Sequence, residues 1–403
     1  MSKLTDDDII YMKRAIELAG RGIGRVSPNP LVGCVVVLNS SVVAEGWHDH
    51  YGGYHAERNA LLSCDADLTG ASMYVTLEPC CHYGKTPPCT EIIIERGIKR
   101  VYIGSDDPNP LVAGKGISLL REAGIEVITH VLKDECDAIN DIFFRYITSG
   151  YPFVAMKYAM TLDGRIAADA GKPLQITGNE ARSHVHELRK RYSSIMVGIG
   201  TVLADDPMLN YRGEPDGSDF NYDPIRIVVD SHLQIPMGSR LVKSAQDIPT
   251  VVACLAETGS TDTDKPSREE KIKDLTDAGM TIWQLPADNY GHVRMESLLK
   301  KIGDEKIDSV LVEGGAGIHG SLLGINSFID RVYAYISPKL IGRGISPTAM
   351  PNSPITGDAA HIEADGTTGE GFSLAEVEVI QLGNDILITG KPITAFVDFS
   401  LNV

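Results

Sequence analysis

The chain has 403 residues, 43% of them hydrophobic, enough for two domains with filled cores. Its net charge of −17 and pI near 5.1 argue against a nucleic-acid partner, which needs cations to neutralise phosphates, but leave room for a small phosphorylated ligand. Seven cysteines are too few for a disulfide framework, and no presequence or apolar run of about 18 residues stands out, so a cytoplasmic protein without membrane association is expected.

Thr5 followed by Asp8 reads as a capping box, with Ile9, Met12, Ile16 and Ala19 on one helix face. Pro28 to Pro30 forms a loop. Val32 to Leu38 is a strand, Asn39-Ser40 a tight turn and Val42 to Trp47 the returning strand. His55 opens a helical pattern through Leu62, and Met73 to Leu77 is a short apolar run that reads as a buried strand. Thr90 to Arg96 is a second helix. Arg100 to Gly104, the helix Gly116 to Ala123 and the strand Ile125 to Val131 complete an alternating β/α pattern, a mixed sheet with helices on both faces. Ser149-Gly150-Tyr151-Pro152, after a helix ending near Ile147, marks a boundary between domains 1–148 and 149–403.

The chemistry of the first half gathers in Thr76-Leu77-Glu78-Pro79-Cys80-Cys81-His82-Tyr83-Gly84-Lys85-Thr86-Pro87-Pro88-Cys89. Two prolines and a glycine force an irregular turn that brings Cys89 back toward Cys80. With His55 these thiols make three borderline-to-soft ligands, the number of protein ligands in catalytic zinc sites, which keep a fourth position for water. Glu57, two residues past the histidine, is placed to handle that water's protons, the His-x-Glu and Pro-Cys logic of zinc deaminases. Cys81 and His82 adjoin Cys80, so a closed four-ligand structural zinc is the alternative, although it leaves Glu57 without a task. His82 and Lys85 are read as substrate contacts. Cys34, Cys254 and Cys64 lie where packing residues are expected.

These strings resemble the deaminase half of the bifunctional riboflavin-biosynthesis deaminase/reductase family. That family carries Pro28-Asn29-Pro30-Leu31-Val32-Gly33, the two zinc strings with this long Cys80–Cys89 spacing, and Asp107-Pro108-Asn109-Pro110-Leu111-Val112-Ala113-Gly114-Lys115-Gly116, in this order. The resemblance implies a cytidine-deaminase-like α/β domain, one zinc per chain on His55, Cys80 and Cys89, Glu57 as the catalytic proton carrier, and Asn29 with His82 and Lys85 on the substrate.

In the second half, strands are expected at Phe153–Met160, Ser194–Val197, Ile225–Val229, Thr250–Cys254, Thr281–Leu285, Ser309–Val312, Arg331–Ile336 and Glu376–Ile388. Helices fit Asn179–Tyr192, Arg268–Ala278, Val293–Lys301 and Ile318–Ile325, and Glu257–Lys265 and Thr356–Gly371 read as loops. Val312-Glu313-Gly314-Gly315-Ala316-Gly317-Ile318-His319-Gly320-Ser321 follows a strand and opens a helix, where glycines let backbone N–H groups approach a phosphate. A side chain at Gly315 is expected to block that approach and to strain a turn of positive φ. Lys157 with Thr161-Leu162-Asp163-Gly164-Arg165, the Val197 to Pro207 string, and Asp230-Ser231 supply further polar or Gly-rich strand ends, where open α/β sheets bind ligands. Lys157 is placed at the ligand edge of its strand, Arg189 is either solvated or a ligand group, and Arg212 is read as a phosphate contact.

These strings resemble the reductase half of the same family, which is similar in fold to dihydrofolate reductase. The resemblance implies NADPH on Ala159, Gln175, Thr201, Asp205, Ser231 and the loop Gly315, Ala316, Gly317, Ile318, His319, Gly320 and Ser321, with substrate on Arg189, Leu209, Arg212 and Glu313. The implied reactions are hydrolytic deamination of 2,5-diamino-6-ribosylamino-4(3H)-pyrimidinone 5′-phosphate, then NADPH-dependent reduction of its ribosyl group to ribityl. A single-function deaminase with an inactive second half and a structural-zinc binding protein are the competing readings. The sequence leaves the oligomeric state open, a homo-oligomer included.

Overall fold

The structure is a computed structural model that describes residues 4–167, 175–213, 220–256, 267–348 and 372–393. The expected loops Glu257–Lys265 and Thr356–Gly371 lie outside the described residues. Contacts divide the chain into two units, Met1–Tyr151 and Pro152–Val403.

The first unit opens with α1 (Asp6–Ala19), whose N-terminus is closed by the Thr5–Asp8 capping box. β1 (Gly33–Leu38) and β2 (Ser41–Trp47) form a hairpin whose two turn residues, Asn39 and Ser40, both take left-handed φ of 51° and 61°. Then follow α2 (Ala56–Leu62), β3 (Ser72–Leu77), α3 (Cys89–Glu95), β4 (Arg100–Ser105), α4 (Lys115–Glu122), β5 (Glu126–Ile128), α5 (Lys133–Ile139) and α6 (Asp141–Ser149). Sheet order is β2-β1-β3-β4-β5, with β1 antiparallel to both neighbours and β3, β4 and β5 parallel.

Both faces of this sheet are covered, which is why β1 reads as an unbroken apolar run. Cys34 and Val36 pack with Ala60, Leu61, Ile92 and Ile93. Val35 and Val37 pack on the other side with Met12, Ala15 and Leu18. The helices sit directly on the strands. A Cβ at Gly33 would lie 1.9 Å from the Ala15 carbonyl oxygen, and one at Gly46 would lie 2.5 Å from that of Ala56. The second contact sets the height of α2, and with it the positions of His55 and Glu57.

Two expectations for this unit are corrected. The strand read over Ile125–Val131 pairs only at Glu126–Ile128, because the chain turns at His130, with φ 64°, to deliver Val131 into the core. Helix α5 was absent from the pattern reading, since its seven residues carry a single fully buried side chain, Cys136.

The second unit contains β6 (Phe153–Thr161), α7 (Asn179–Arg191), β7 (Ser194–Gly198), α8 (Ile199–Asp205), β8 (Ile225–Val229), α9 (Arg240–Lys243), β9 (Thr250–Leu255) and α10 (Arg268–Asp277). It continues with β10 (Thr281–Leu285), α11 (Met295–Asp304), β11 (Ser309–Gly314), α12 (Ala316–Leu323), β12 (Arg331–Ser337), β13 (Ser373–Leu382) and β14 (Asp385–Ile393). The sheet runs β10-β9-β8-β7-β11-β6-β12-β14-β13. It is parallel from β10 to β12, and β14 and β13 close it antiparallel.

The single strand expected over Glu376–Ile388 is instead the hairpin β13–β14, broken by Gly383, whose φ of 63° a turn tolerates at glycine. Helices α8 and α9, each at most two turns long, carry no periodicity that would have revealed them. A further feature invisible to pattern reading is Arg226 on β8. It is fully buried and donates to Thr250 Oγ1, Ser244 Oγ and the carbonyls of Met208, Leu241, Ser244 and Ile248. Those bonds give the buried guanidinium neutral acceptors, with the Asp223 and Asp247 charges nearby, and anchor the segment entering Leu209.

Candidate functional site

In the first unit, His55 is the N-cap of α2 and Cys89 the first residue of α3, so two helix N-termini face the Cys80 turn. His55 Nδ1 lies 3.4 Å from Cys80 Sγ and 3.5 Å from Cys89 Sγ, and the three donor atoms all fall within 4.8 Å of one another. Tetrahedral zinc with bonds of about 2.0 Å to nitrogen and 2.3 Å to sulfur separates neighbouring N and S donors by about 3.5 Å, so these residues fit the ion. The Cys89 N–H donates to Cys80 Sγ at 3.3 Å. The hydrogen bond from the Cys89 thiol, together with His55, pulls the Cys80 pKa down to about 4 even though burial opposes it. That contact favours the Cys80 thiolate, the form that ligates metal.

Glu57 is 3% exposed, and its Oε2 has no hydrogen-bond partner among the described residues. Burial, reinforced by the Cys80 sulfur, raises its pKa to about 7. A buried carboxyl oxygen without a partner is costly unless a ligand completes it. Cys81 does not join the cluster, since its Sγ faces the Leu111 carbonyl at 3.9 Å. His82 Nδ1 is buried and unpartnered among the described residues. Asn29 Nδ2 is 3.1 Å from His48 Nε2, and the His48 ring stands edge-on to that of His55. Lys85 lies apart from this group, its Nζ 3.7 Å above the Tyr51 ring.

Three residues here escaped sequence reading. His48 links Asn29 to the metal ligands and is held by the Tyr54 carbonyl. Glu78 accepts from the N–H groups of Gly114 and Ile117, fastening the start of α4 to the cysteine turn. Asp107 is buried, and that burial raises its pKa to about 6. Glu78 and Asp107 do stand inside two of the quoted strings, which was the signal available.

In the second unit, the order β8-β7-β11-β6 sets the ends of four adjacent parallel strands side by side. Ser231 follows β8, Thr201 follows β7, Gly315 follows β11 and Ala159 lies near the end of β6. A Cβ at Gly315 would lie 3.3 Å from Thr201 Oγ1, and one at Gly198 would lie 2.9 Å from Ile318 Cγ1. The first turn of α12 thus opens onto a glycine cradle suited to cofactor phosphates. The positive φ expected at Gly315 belongs to its neighbour: Gly314 has φ 110°, whereas Gly315 has φ −82°.

Ala316, Gly317 and Ile318 form that first turn. Farther along, His319 and Gly320 are buried and Ser321 Oγ donates to the Gly317 carbonyl. Ser231 Oγ accepts from Val293 N–H at 3.0 Å, Asp205 is exposed at the end of α8, and the Gln175 carbonyl accepts from Lys339.

Parallel pairing of β11 with β6 sets Val312 opposite Met156, which brings Glu313 beside Lys157 at 3.9 Å. Arg189 from α7 grips the same carboxylate with two bonds, Nε–Oε1 at 2.7 Å and Nη2–Oε2 at 2.8 Å. Its Nη1 donates to the carbonyl of Asn210, next to buried Leu209. The solvated alternative for Arg189 is thereby removed, as its side chain is 11% exposed. Burial would raise the Glu313 pKa, but Arg189 and Lys157 outweigh it and hold the group at about 2. Arg212 adjoins this cluster through its backbone N–H, which donates to His186 Nδ1. Burial, then the nearby Arg189 and Arg212 charges, push His186 down to about 4, so it is neutral.

Two family models match the chain: a cytidine and deoxycytidylate deaminase zinc-binding region over residues 5–105, and a RibD C-terminal domain over residues 152–388. The riboflavin biosynthesis protein RibD of Actinobacillus pleuropneumoniae is 51% identical over 338 residues, 84% of this chain and 85% of that one. RibD of Bacillus amyloliquefaciens is 39% identical over 389 residues, 95% of each. Among solved structures, a diaminohydroxyphosphoribosylaminopyrimidine deaminase/5-amino-6-(5-phosphoribosylamino)uracil reductase from Thermotoga maritima matches with TM-score 0.77 at 36% identity, covering 96% of this chain and 99% of that one. Acinetobacter baumannii RibD matches with TM-score 0.79 at 34% identity and the same coverage.

Proposed function

The chain belongs to the family of bifunctional riboflavin-biosynthesis deaminase/reductases, and from that premise we propose how its own residues divide the two activities. It is a zinc- and NADPH-dependent enzyme with a deaminase domain followed by a reductase domain. Residues 1–148 carry deamination and residues 149–403 carry reduction, both on a small phosphorylated pyrimidine.

His55, Cys80 and Cys89 hold the zinc, and Cys81 stays outside its shell. The ion, when bound, supplies Lewis acidity that lowers the pKa of a water to about 7. Glu57 Oε2 takes the proton of the attacking water and returns it to the departing ammonia; its buried oxygen, without a hydrogen-bond partner among the described residues, is the observation that carries this reading. Asn29, oriented by His48, and His82 with its unpartnered Nδ1 hold the pyrimidine. Lys85, exposed over Tyr51, meets the substrate phosphate.

In the second unit the Gly315–Ile318 turn and Thr201 take the cofactor phosphates, with Ala159, Gln175, Asp205 and Ser231 along the same edge. NADPH supplies the hydride that reduces C1′ of the ribosyl group. Glu313, kept ionised by Arg189 and Lys157, accepts from ribose hydroxyls, while Leu209 and Arg212 complete the substrate side. These groups bind, orient and exclude water, which is what hydride transfer asks of a protein. The acidic surface suits a cytoplasmic enzyme that engages neither nucleic acid nor membrane. Among the described residues no helix is long and apolar enough to cross a membrane. The outer strand β13 exposes Val377 and Val379, an edge that a second copy of the chain would cover in a homo-oligomer.

Ammonia release and NADPH oxidation, measured together on the pyrimidine substrate, test the assignment. Glu57→Gln keeps size but cannot carry a proton. It should retain zinc and lose at least about 10²-fold in ammonia release, with oxidation of NADPH on the already deaminated substrate unchanged. Ammonia release near the wild-type rate would return the zinc to a structural role.

A further inference from the structure

We propose that the segment Ser337–Thr348 is a strap that shapes the reductase cofactor site, and that Asp163 and His319 are the positioning residues that hold it there. The proposal deepens the reductase reading and rests on it. It also gives a task to the Thr161-Leu162-Asp163-Gly164-Arg165 motif, whose residues the proposed function leaves unassigned.

No residue from 338 to 348 is buried: Leu340 is 71% exposed and Ile345 44%. Apolar burial therefore does not hold this segment, and polar clamps do. At one end the Asp163 carboxylate accepts from Gly342 N–H at 2.7 Å and Ile341 N–H at 3.2 Å, while Thr161 Oγ1 donates to it at 2.5 Å. Those same bonds, Thr161 first and Gly342 next, keep the carboxyl below its ordinary pKa, so it is charged at neutral pH. The backbone reinforces the clamp, with Leu162 N–H donating to the Lys339 carbonyl, Ile166 N–H to Ile345 and Ile345 N–H to Ala167. Lys339 Nζ reaches across to the carbonyls of Gln175 and Ile176 at 2.8 and 2.6 Å.

At the other end His319 is 1% exposed. Its side chain points back toward the start of α12, as helical side chains do. Nδ1 lies 3.1 Å from the Pro347 carbonyl and Nε2 3.5 Å from that of Val312, so a proton on Nδ1 is donated to the strap. The ring packs against Tyr158 on β6 and over Gly314, where a Cβ would lie 3.3 Å from Cε1. The strap thus joins three places: the end of β6, the Gln175 segment and the glycine turn. All three belong to the proposed cofactor edge. Neither Asp163 nor His319 needs to touch the cofactor to set its affinity.

The full-length protein is compared with Asp163→Asn, which keeps shape but removes the charge, and with His319→Phe, which keeps an aromatic ring in place but removes both nitrogens. Three quantities are read: amide hydrogen exchange at Ile341 and Gly342 without cofactor, the NADPH dissociation constant by fluorescence titration, and kcat at saturating NADPH. In Asp163→Asn, exchange at the two amides should accelerate and the dissociation constant should rise about tenfold, the scale of a lost charge-assisted hydrogen bond. The kcat should stay within about twofold, because the chemistry is untouched. His319→Phe should raise the dissociation constant in the same direction. Urea unfolding followed at Trp283 on β10, in a Trp47→Phe background, reports whether the second unit of each variant is folded. If Asp163→Asn fails to fold, His319→Phe carries the comparison. Unchanged exchange and affinity in folded variants overturn the strap, as does a fall in kcat at unchanged affinity, which would make these groups part of the chemistry. Failure of the wild-type chain to bind NADPH would instead sink the reductase reading beneath it.

Discussion

Glu313→Gln removes one charge from the most tightly coupled ionic group described in the second unit and leaves its volume in place. In the folded chain Glu313 titrates at about 2 rather than at an ordinary 4.5, because Arg189 and Lys157 overcome the cost of burying it. Each pKa unit corresponds to about 1.4 kcal/mol, so the ionised carboxylate contributes about 3 kcal/mol to folding at pH 7. The side chain is only 8% exposed, so solvent screening takes little from that figure. The folded pKa is depressed, so this contribution is complete above 4.5 and is lost as the pH falls toward 2. The glutamine cannot carry it at any pH. The chain has two tryptophans, and in a Trp47→Phe background the remaining indole, Trp283 on β10, reports the second unit alone. Urea unfolding followed at that indole should show Glu313→Gln about 3 kcal/mol less stable at pH 7, with the gap closing in acid. The dissociation constant for substrate should rise as well. A gap below about 0.5 kcal/mol at pH 7, the range of ordinary surface substitutions, or a gap that does not narrow with acid, would refute the account of a carboxylate held by its two cations.

The metal set makes a separate prediction: about one zinc per chain by elemental analysis, released in Cys80→Ser and in Cys89→Ser but retained in Cys81→Ser. Metal loss in the Cys81 variant would mean that the wrong thiol has been chosen. Gly315→Val places its Cβ 3.3 Å from Thr201 Oγ1, with two further methyls beyond, and should weaken NADPH binding strongly while ammonia release persists. Unaltered cofactor affinity in that variant would make the glycine turn purely structural. Gly33→Ala sets a Cβ 1.9 Å from the Ala15 carbonyl oxygen, a backbone atom that cannot give way unless α1 moves. It should destabilise the first unit by at least about 2 kcal/mol, seen as a lower melting temperature, and an unchanged transition would refute the close seating of that helix.

The family, the fold class and the grouping of His55, Cys80 and Cys89 were legible because each rests on local order. The cysteines stand on one proline-bounded turn, the histidine caps a helix that begins beside it, and runs such as Val32–Leu38 and Met73–Leu77 announce strands buried on both faces. Tertiary structure decided what local order cannot express. Lys157, Arg189 and Glu313 come from a strand, a helix and another strand, and only the pairing of β11 with β6 brings them together. Nothing in the pattern near Gly314-Gly315 says which glycine takes the left-handed φ, since both tolerate it and the packing of α12 chooses. The hairpin within 373–393 was read as one strand because its turn, Gly383-Asn384, interrupts two runs of the same period. The strap over the glycine turn carries no periodicity at all. Its place is set by hydrogen bonds from its own N–H groups to Asp163, from its own Lys339 to the Gln175 carbonyl, and between its Pro347 carbonyl and His319, partners up to 179 residues away in sequence, and such bonds exist only once the sheet has closed.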